Sequence, residues 1–224
     1  SNVALCVNEK EYYVLCELDH EPDGSEGNPR YWIAEELCAE VFGKEARVLK
    51  RCTGADLLGI QYQPIYPYAE ATVAEQGKKG FYIIADPFVT LTDGTGIVHI
   101  APAFGEDDAR LGRAYDLPHV QFVAEDGTMT KEVTDFAGVF CKDADDGLVE
   151  RLRSENSLLF EKDVEHTYPF CWRCATPLIY YARSNWFIEM TALRDRLLET
   201  NAEINWIPSH IGTGRFGHFL ENVI

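Results

Sequence analysis

Short apolar, β-rich runs separated by polar, Gly- and Pro-containing stretches occupy most of the first hundred residues. VALCV at 3–7 and YYVLCEL at 12–18 are β-rich, with NEKE between them as a turn, and together they predict a hairpin. HEPDGSEGNP at 20–29 is a loop by composition. WIAEELCAEVFG at 32–43 changes to helical spacing and ends on Gly43, which suits the position just past a helix. ARVLKRC at 46–52, QYQPIYPY at 61–68, GFYIIADPFV at 80–89 and GIVHIAP at 96–102 predict short strands punctuated by Gly, Pro and Asp. Helices are expected over GEDDARLGRAYDL (105–117), DADDGLVERLRSENSLL (143–159) and TALRDRLLETN (191–201). The first two crowd acids into their opening turns, where they complement the helix dipole. Many short strands with few helices predict a barrel or sandwich core.

Length and composition set the scale. With 224 residues, 46% of them hydrophobic, the chain has enough apolar surface for one large domain, or one domain with an appendage. No run approaches the roughly 18 apolar residues of a membrane span, and SNVALCVNEKEYY lacks the layout of a signal peptide. A cytoplasmic protein without membrane partners is expected. Seven cysteines are an odd number for a disulfide framework, and only Cys171 and Cys174 form a CxxC, so reduced thiols are expected. The opening without methionine and the close on HFLENVI read as a piece of a larger protein.

Charge narrows the classes of partner. The chain holds 20 basic and 37 acidic side chains, a net charge of −17, and the imbalance lies almost wholly before residue 150. Phosphate neutralisation drives nucleic-acid affinity, so a chain this acidic is expected to bind polyanions weakly by itself. A nucleic-acid partner would have to be delivered by something else.

Candidate chemistry concentrates in DGTGIVHIAPAFGEDDARL at 93–111. Gly94, Thr95 and Gly96 lack the spacing of a P-loop or dinucleotide fingerprint and, alone, read as a tight turn. His99 faces away from Val98 and Ile100 on an alternating strand, and a lone strand histidine is commonly structural. Glu106, Asp107 and Asp108 open a helix, where they suit the dipole. A carboxylate at such a strand-to-helix junction also suits a substrate ammonium group. CWRC at 171–174 supplies two thiolates at the spacing of half a zinc site; His166 is the only histidine near it in sequence. A redox CxxC would open a helix in a thioredoxin-like unit, whereas PFCWRCATPLIYY is strand-like. SHIGTG at 209–214 approaches the HIGH signature of class I aminoacyl-tRNA synthetases but carries Thr213 in place of the final histidine and reads as coincidence.

Taken together, SNVALCVN, GADLLGIQYQPIYPY (54–68), GTGIVHIAPAFGEDD (94–108), VTDFAGVFCKDAD (133–145), HTYPFCWRCATPLIYY (166–181) and RFGHFLENV (215–223) carry a resemblance. The chain resembles the editing insertion, connective peptide 1, of isoleucyl-tRNA synthetases over nearly its whole length. That resemblance implies an α+β fold with a closed or partly open β-barrel core and peripheral helices. The barrel would occupy residues 1–160, and a ribbon with the CxxC half-site and a helical return segment residues 161–224. It further implies hydrolysis of the ester of mischarged valyl-tRNA(Ile) by a positioned water.

The resemblance also implies roles. Asp108 would grip the α-ammonium group, with Asp107 on the same helix as its control, and Asp108→Ala would abolish hydrolysis while barely changing folding. His99 would line the side-chain pocket, Asn2 would close the end of a threonine-rich wall preceding Ser1, and Phe104 with residues 94–96 would shape the wall near the terminal adenosine. The implied partners are the aminoacylated 3′ end of tRNA(Ile) and the catalytic domain of a parent enzyme, which would bind ATP; the chain itself is expected to be a monomer. No cofactor is expected in this chain, and the Cys171 and Cys174 half-site is expected to be empty here; the resemblance implies that a zinc site in the full-length enzyme would be completed by an upstream cysteine pair. The alternatives are a binding or structural module without turnover and, on the CxxC alone, an oxidoreductase.

Overall fold

The computed structural model describes residues 1–21, 24–43, 46–162 and 167–222, and the chain forms two compact units, Ser1–Ala182 and Arg183–Ile224. The first unit is built on two three-stranded sheets. In one, β1 (Ala4–Val7) lies between β5 (Tyr82–Ala85), which runs parallel to it, and β6 (Val98–Ile100), which runs antiparallel. In the other, β2 (Tyr12–Glu17) lies between β3 (Arg30–Ala34) and β4 (Arg47–Thr53), both antiparallel to it.

The expected β1–β2 hairpin does not form. A turn joins the two strands, Glu11 N–H donating to Asn8 O at 3.2 Å, but each strand becomes the centre of a different sheet. The turn's carbonyls are claimed from elsewhere: Gly54 N–H donates to Glu11 O and Ala55 N–H to Glu9 O. Gly54 approaches so closely that a Cβ there would lie 2.1 Å from Asn8 O, so only glycine fits. The ladders do not confirm the expected barrel, and no closed barrel is seen among the described residues. Among the described residues the strands form two separate sheets, which gives an α+β architecture without closure.

Residues 61–68 also depart from the predicted strand. Gln61 bridges Tyr82 and Tyr62 N–H reaches Phe81 O, after which Pro64 and Pro67 end the pairing and Tyr68 opens helix α2 (Tyr68–Glu75). The other helices fall close to their periodicity: α1 (Glu35–Phe42), α3 (Glu106–Ala114) and α4 (Asp145–Ser154). In α1 the predicted span begins too early, because Trp32, Ile33 and Ala34 belong to β3.

Two apolar clusters anchor this unit. Val3, Ala4, Cys6, Ile84, Ile100, Leu111 and Val120 form the first, around β1; Val7, Tyr13, Val14, Cys16, Ile33 and Leu37 form the second, beneath β2 and α1. The second unit holds α5 (Met190–Glu203), α6 (His210–Thr213) and α7 (Arg215–Glu221). Asn201 joins them, donating to Gly212 O at 2.9 Å and accepting Trp206 Nε1–H at 3.0 Å. Among the described residues no helix is long and apolar enough to cross a membrane.

Candidate functional site

A cavity of about 1020 Å³ opens against β1 and β6. Leu5 and His99 are register partners across that ladder and both line it. Their neighbours Ala4, Cys6 and Ile100 point to the opposite face and are fully buried, as strand alternation requires. Phe122, Val123, Met129, Val133 and Leu148 supply an apolar wall, and Asn2, Tyr62 and Arg30 bring polar groups. A largely apolar enclosure with a few placed polar groups is the usual form of a small-molecule site.

The polar groups are held firmly. Tyr62 donates its hydroxyl to Asn2 Oδ1, while Asn2 Nδ2 donates to Ala4 O at 3.0 Å, so both ends of the amide are fixed. Burial pushes the Tyr62 phenol well above its ordinary pKa despite that bond, so it stays a neutral donor. At the edge of the cavity Tyr66 and Tyr68 stack with ring centroids 5.9 Å apart. Arg151 of α4 lies over Tyr66 at 5.2 Å, donates to Tyr68 Oη at 2.8 Å and pairs with Asp135; Tyr66 donates to Leu148 O at 3.1 Å. This network ties α4 to the 62–68 segment.

Of the residues singled out from sequence, His99 and Asn2 line the cavity, while Asp108, Gly94, Thr95, Gly96 and Phe104 are not among its lining. Asp108 lies in the first turn of α3 and accepts Ala101 N–H at 2.6 Å, so one carboxylate oxygen is already engaged in the turn after β6. Its neighbour Asp107 faces Arg110, which also holds Asp86 through two bonds of 2.8 and 3.1 Å. Gly94 and Gly96 take positive φ, as a tight turn needs, and Asp93 Oδ1 accepts Gly94 N–H at 2.8 Å. Thr95 O accepts Ala34 N–H, and Gly96 O accepts the buried Tyr13 hydroxyl at 2.8 Å, which locks this loop onto the second sheet. Phe104 packs edge-on against Tyr181. The aromatic wall at Tyr62, Tyr66 and Tyr68 escaped the sequence reading; its only trace was the run of tyrosines and prolines in QYQPIYPY.

Cys171 and Cys174 occupy a knuckle in which Cys171 N–H donates to Thr176 O and Ala175 N–H to Cys171 O. Hydrogen bonds from the Thr176 hydroxyl and backbone, and then from Cys171, lower the Cys174 pKa below the usual thiol value. Among the described residues no group of three or more His, Cys, Asp or Glu side chains could hold a metal, so this pair by itself does not make a tetrahedral zinc site. His166 lies outside the described residues.

Comparison with known proteins settles the family. The profile of the tRNA synthetases class I (I, L, M and V) matches residues 8–224. The chain belongs to that family. It is 44% identical over all 224 residues to an isoleucine–tRNA ligase of Clostridium novyi strain NT, of which it covers 20%. It is 41% identical over 222 residues, 99% of the chain, to isoleucine–tRNA ligase 2 of Pseudomonas fluorescens, again covering 20%. The chain therefore spans about a fifth of the length of the curated relatives it matches. Among solved structures, "GlLeuRS-CP1" is similar in fold, with a TM-score of 0.52 at 13% identity over 73% of this chain and 79% of that one. The resemblance to the connective peptide 1 region of an isoleucyl-tRNA synthetase agrees with both comparisons.

Proposed function

We propose that this chain is the editing module of an isoleucyl-tRNA synthetase and hydrolyses the ester linking valine to tRNA(Ile). The observation that carries the reading is the cavity against β1 and β6, with His99 and Asn2 in its wall, in a chain of this synthetase family. Isoleucine and valine differ by one methylene, which a single apolar pocket discriminates by only about 1–3 kcal/mol; the isoleucyl enzymes are themselves the standard illustration of that limit. A second, smaller-entry site removes the error. His99 would restrict the side-chain pocket, Asn2 held by Tyr62 would orient the ester, and a positioned water would attack the carbonyl. In this reading the aminoacylated 3′ end of tRNA(Ile) and the catalytic domain are the partners, and zinc would need ligands beyond Cys171 and Cys174.

The test is release of amino acid by the purified chain. Valine should leave valyl-tRNA(Ile) faster than isoleucine leaves isoleucyl-tRNA(Ile), and His99→Ala should narrow the difference. Equal rates for the two substrates in the unsubstituted chain would refute the selectivity. A second reading, a module that binds without turnover, is favoured by one observation: Asp108 already engages Ala101 through a carboxylate oxygen and does not line the cavity. Binding of a non-hydrolysable valyl-adenosine analogue without any hydrolysis would select that reading.

A further inference from the structure

Two thiols meet where α1 packs on β2. Cys16 of β2 and Cys38 of α1 place their Sγ atoms 2.9 Å apart, both inside the second apolar cluster. That separation is closer than ordinary contact between non-bonded sulfurs and only about 0.9 Å longer than a disulfide bond. Cys6, buried in the first cluster, instead turns its thiol to Val7 O at 3.8 Å. The β2–β4 register shifts between Leu15 and Cys16, and such an irregularity gives the strand local freedom to close the remaining gap.

Two aromatic rings connect the thiol pair to the cavity. Tyr31 of β3 is the register partner of Cys16, and it lines the cavity. Its ring stacks on Phe42 of α1 with centroids 5.4 Å apart. Phe42 follows Cys38 by one helical turn, so the two share a helix face. Drawing Cys38 towards β2 therefore presses Phe42 onto Tyr31, and Tyr31 towards the cavity. We propose that Cys16 and Cys38 form an oxidation-sensitive dithiol, which hydrogen peroxide closes to a disulfide that staples α1 to β2 and narrows the cavity. The consequence for ligand binding rests on the reading of the cavity given above.

The chemistry balances with peroxide as the only oxidant. Cys38 is 9% exposed and Cys16 fully buried, so Cys38 is the sulfur that a small neutral oxidant reaches. Peroxide transfers one oxygen to the Cys38 sulfur, giving a sulfenic acid and one water. The Cys16 sulfur then attacks that sulfenic sulfur; the S–S bond forms, the S–O bond breaks, and hydroxide leaves with the Cys16 proton as a second water. Two electrons pass from the thiols to the peroxide. Burial, with the Cys38 thiol beside it, pushes Cys16 up to about 12, so Cys16 stays protonated until a sulfenic acid forms next to it. A thiol reductant reopens the bond by exchange.

The test treats the reduced chain with hydrogen peroxide, then applies non-reducing peptide mass spectrometry, thermal melting and titration with a non-hydrolysable valyl-adenosine analogue. Peptides joined through Cys16 and Cys38 should appear. Melting temperature should rise by roughly 5–10 °C, since the bond ties positions 22 residues apart. Affinity for the analogue should fall on the order of threefold, as a wall residue shifts by less than about 1 Å. Dithiothreitol should reverse all three changes. Cys38→Ala should lose them and Cys6→Ala should keep them; Cys38→Ser serves the same purpose if the alanine variant does not fold. Absence of the joined peptides under conditions that oxidise Cys174 overturns the proposal, and so does a bond confined to Cys171 and Cys174. Joined peptides with unchanged analogue affinity overturn the link to the cavity. If the analogue binds neither form while the bond and the thermal shift persist, the cavity reading fails and the dithiol stands.

Discussion

The Asp108 carboxylate accepts the backbone N–H of Ala101 at 2.6 Å, joining the first turn of α3 to the end of β6. A residue expected to serve only a ligand therefore also shapes the turn that follows His99. Asp108→Ala should cost about 1–2 kcal/mol of stability, since it removes a charge-assisted bond in a partly buried place. Asp108→Asn retains an accepting oxygen and should recover most of that stability while losing the charge an ammonium group would need. Denaturant titration and valyl-tRNA hydrolysis, run on both variants, separate the two roles. Asp107→Ala, which releases only an exposed bridge to Arg110, should change stability by less than about 1 kcal/mol and leave hydrolysis intact. Equal loss of hydrolysis in the Asp107 and Asp108 variants would remove the ammonium role from Asp108.

Tyr13 joins the two sheets from a fully buried position, donating to Gly96 O at 2.8 Å and accepting Asn8 N–H at 2.9 Å. Tyr13→Phe preserves the ring and leaves both backbone groups without that partner, so a loss of about 1–3 kcal/mol is expected in urea unfolding. A variant as stable as the parent would mean that the hydroxyl does not hold the 94–96 loop.

Gly96 combines φ of +70° with a site where a Cβ would lie 2.5 Å from Ala34 Cβ and 2.9 Å from Leu91 Cδ2. Gly96→Ala both strains the left-handed backbone and displaces Ala34, so at least about 1–3 kcal/mol should be lost. Gly94 has a similar φ but nothing within 4 Å of a Cβ, so Gly94→Ala should cost only the conformational part, about 1 kcal/mol. Comparing the two melting temperatures isolates the packing contribution.

Acid should loosen the link between α3 and β5. The Arg110 guanidinium, through its hydrogen bonds, holds the Asp86 carboxyl below its ordinary pKa. A carboxylate with a depressed folded-state pKa contributes stability that is complete above the unfolded value of about 3.9 and drains as pH falls through the folded value. Melting temperature should therefore decline below about pH 4, and Asp86→Asn should flatten that decline while lowering stability at neutral pH. Parallel pH curves for parent and variant would exclude Asp86 as a contributor.

Thiol reactivity should follow exposure. Cys174 is exposed with a lowered pKa, whereas burial, aided by Asp86 for Cys6 and by Cys38 for Cys16, pushes Cys6 and Cys16 up to about 12. Iodoacetamide should label Cys174 first and these two last, as read by peptide mass spectrometry. Thr176→Val should slow the first event, because the hydroxyl 3.1 Å from Cys174 Sγ stabilises the thiolate.

Elements with a local signal were legible in the chain before any packing was known. Acids at the start of α3 and α4 and the apolar spacing of α5 are written within one or two turns, and the structure places helices there. The β-rich runs VALCV and YYVLCEL likewise marked two strands, and the resemblance carried by segments such as GTGIVHIAPAFGEDD and HTYPFCWRCATPLIYY pointed to the family. Strand partners were not legible, because alternation tells which face of a strand is apolar but not which strand lies beside it. β1 pairs with β5 and β6 rather than the adjacent β2, and Gly54 and Ala55, far along the chain, take carbonyls of the intervening turn. The cavity has the same kind of origin. Tyr66 and Tyr68 are ordinary aromatic residues in a proline-broken run until Arg151, 83 residues beyond Tyr68, stacks and bonds with them and brings α4 over the site. Burial and hydrogen-bond satisfaction are properties of the assembled chain, and no short window of sequence contains them.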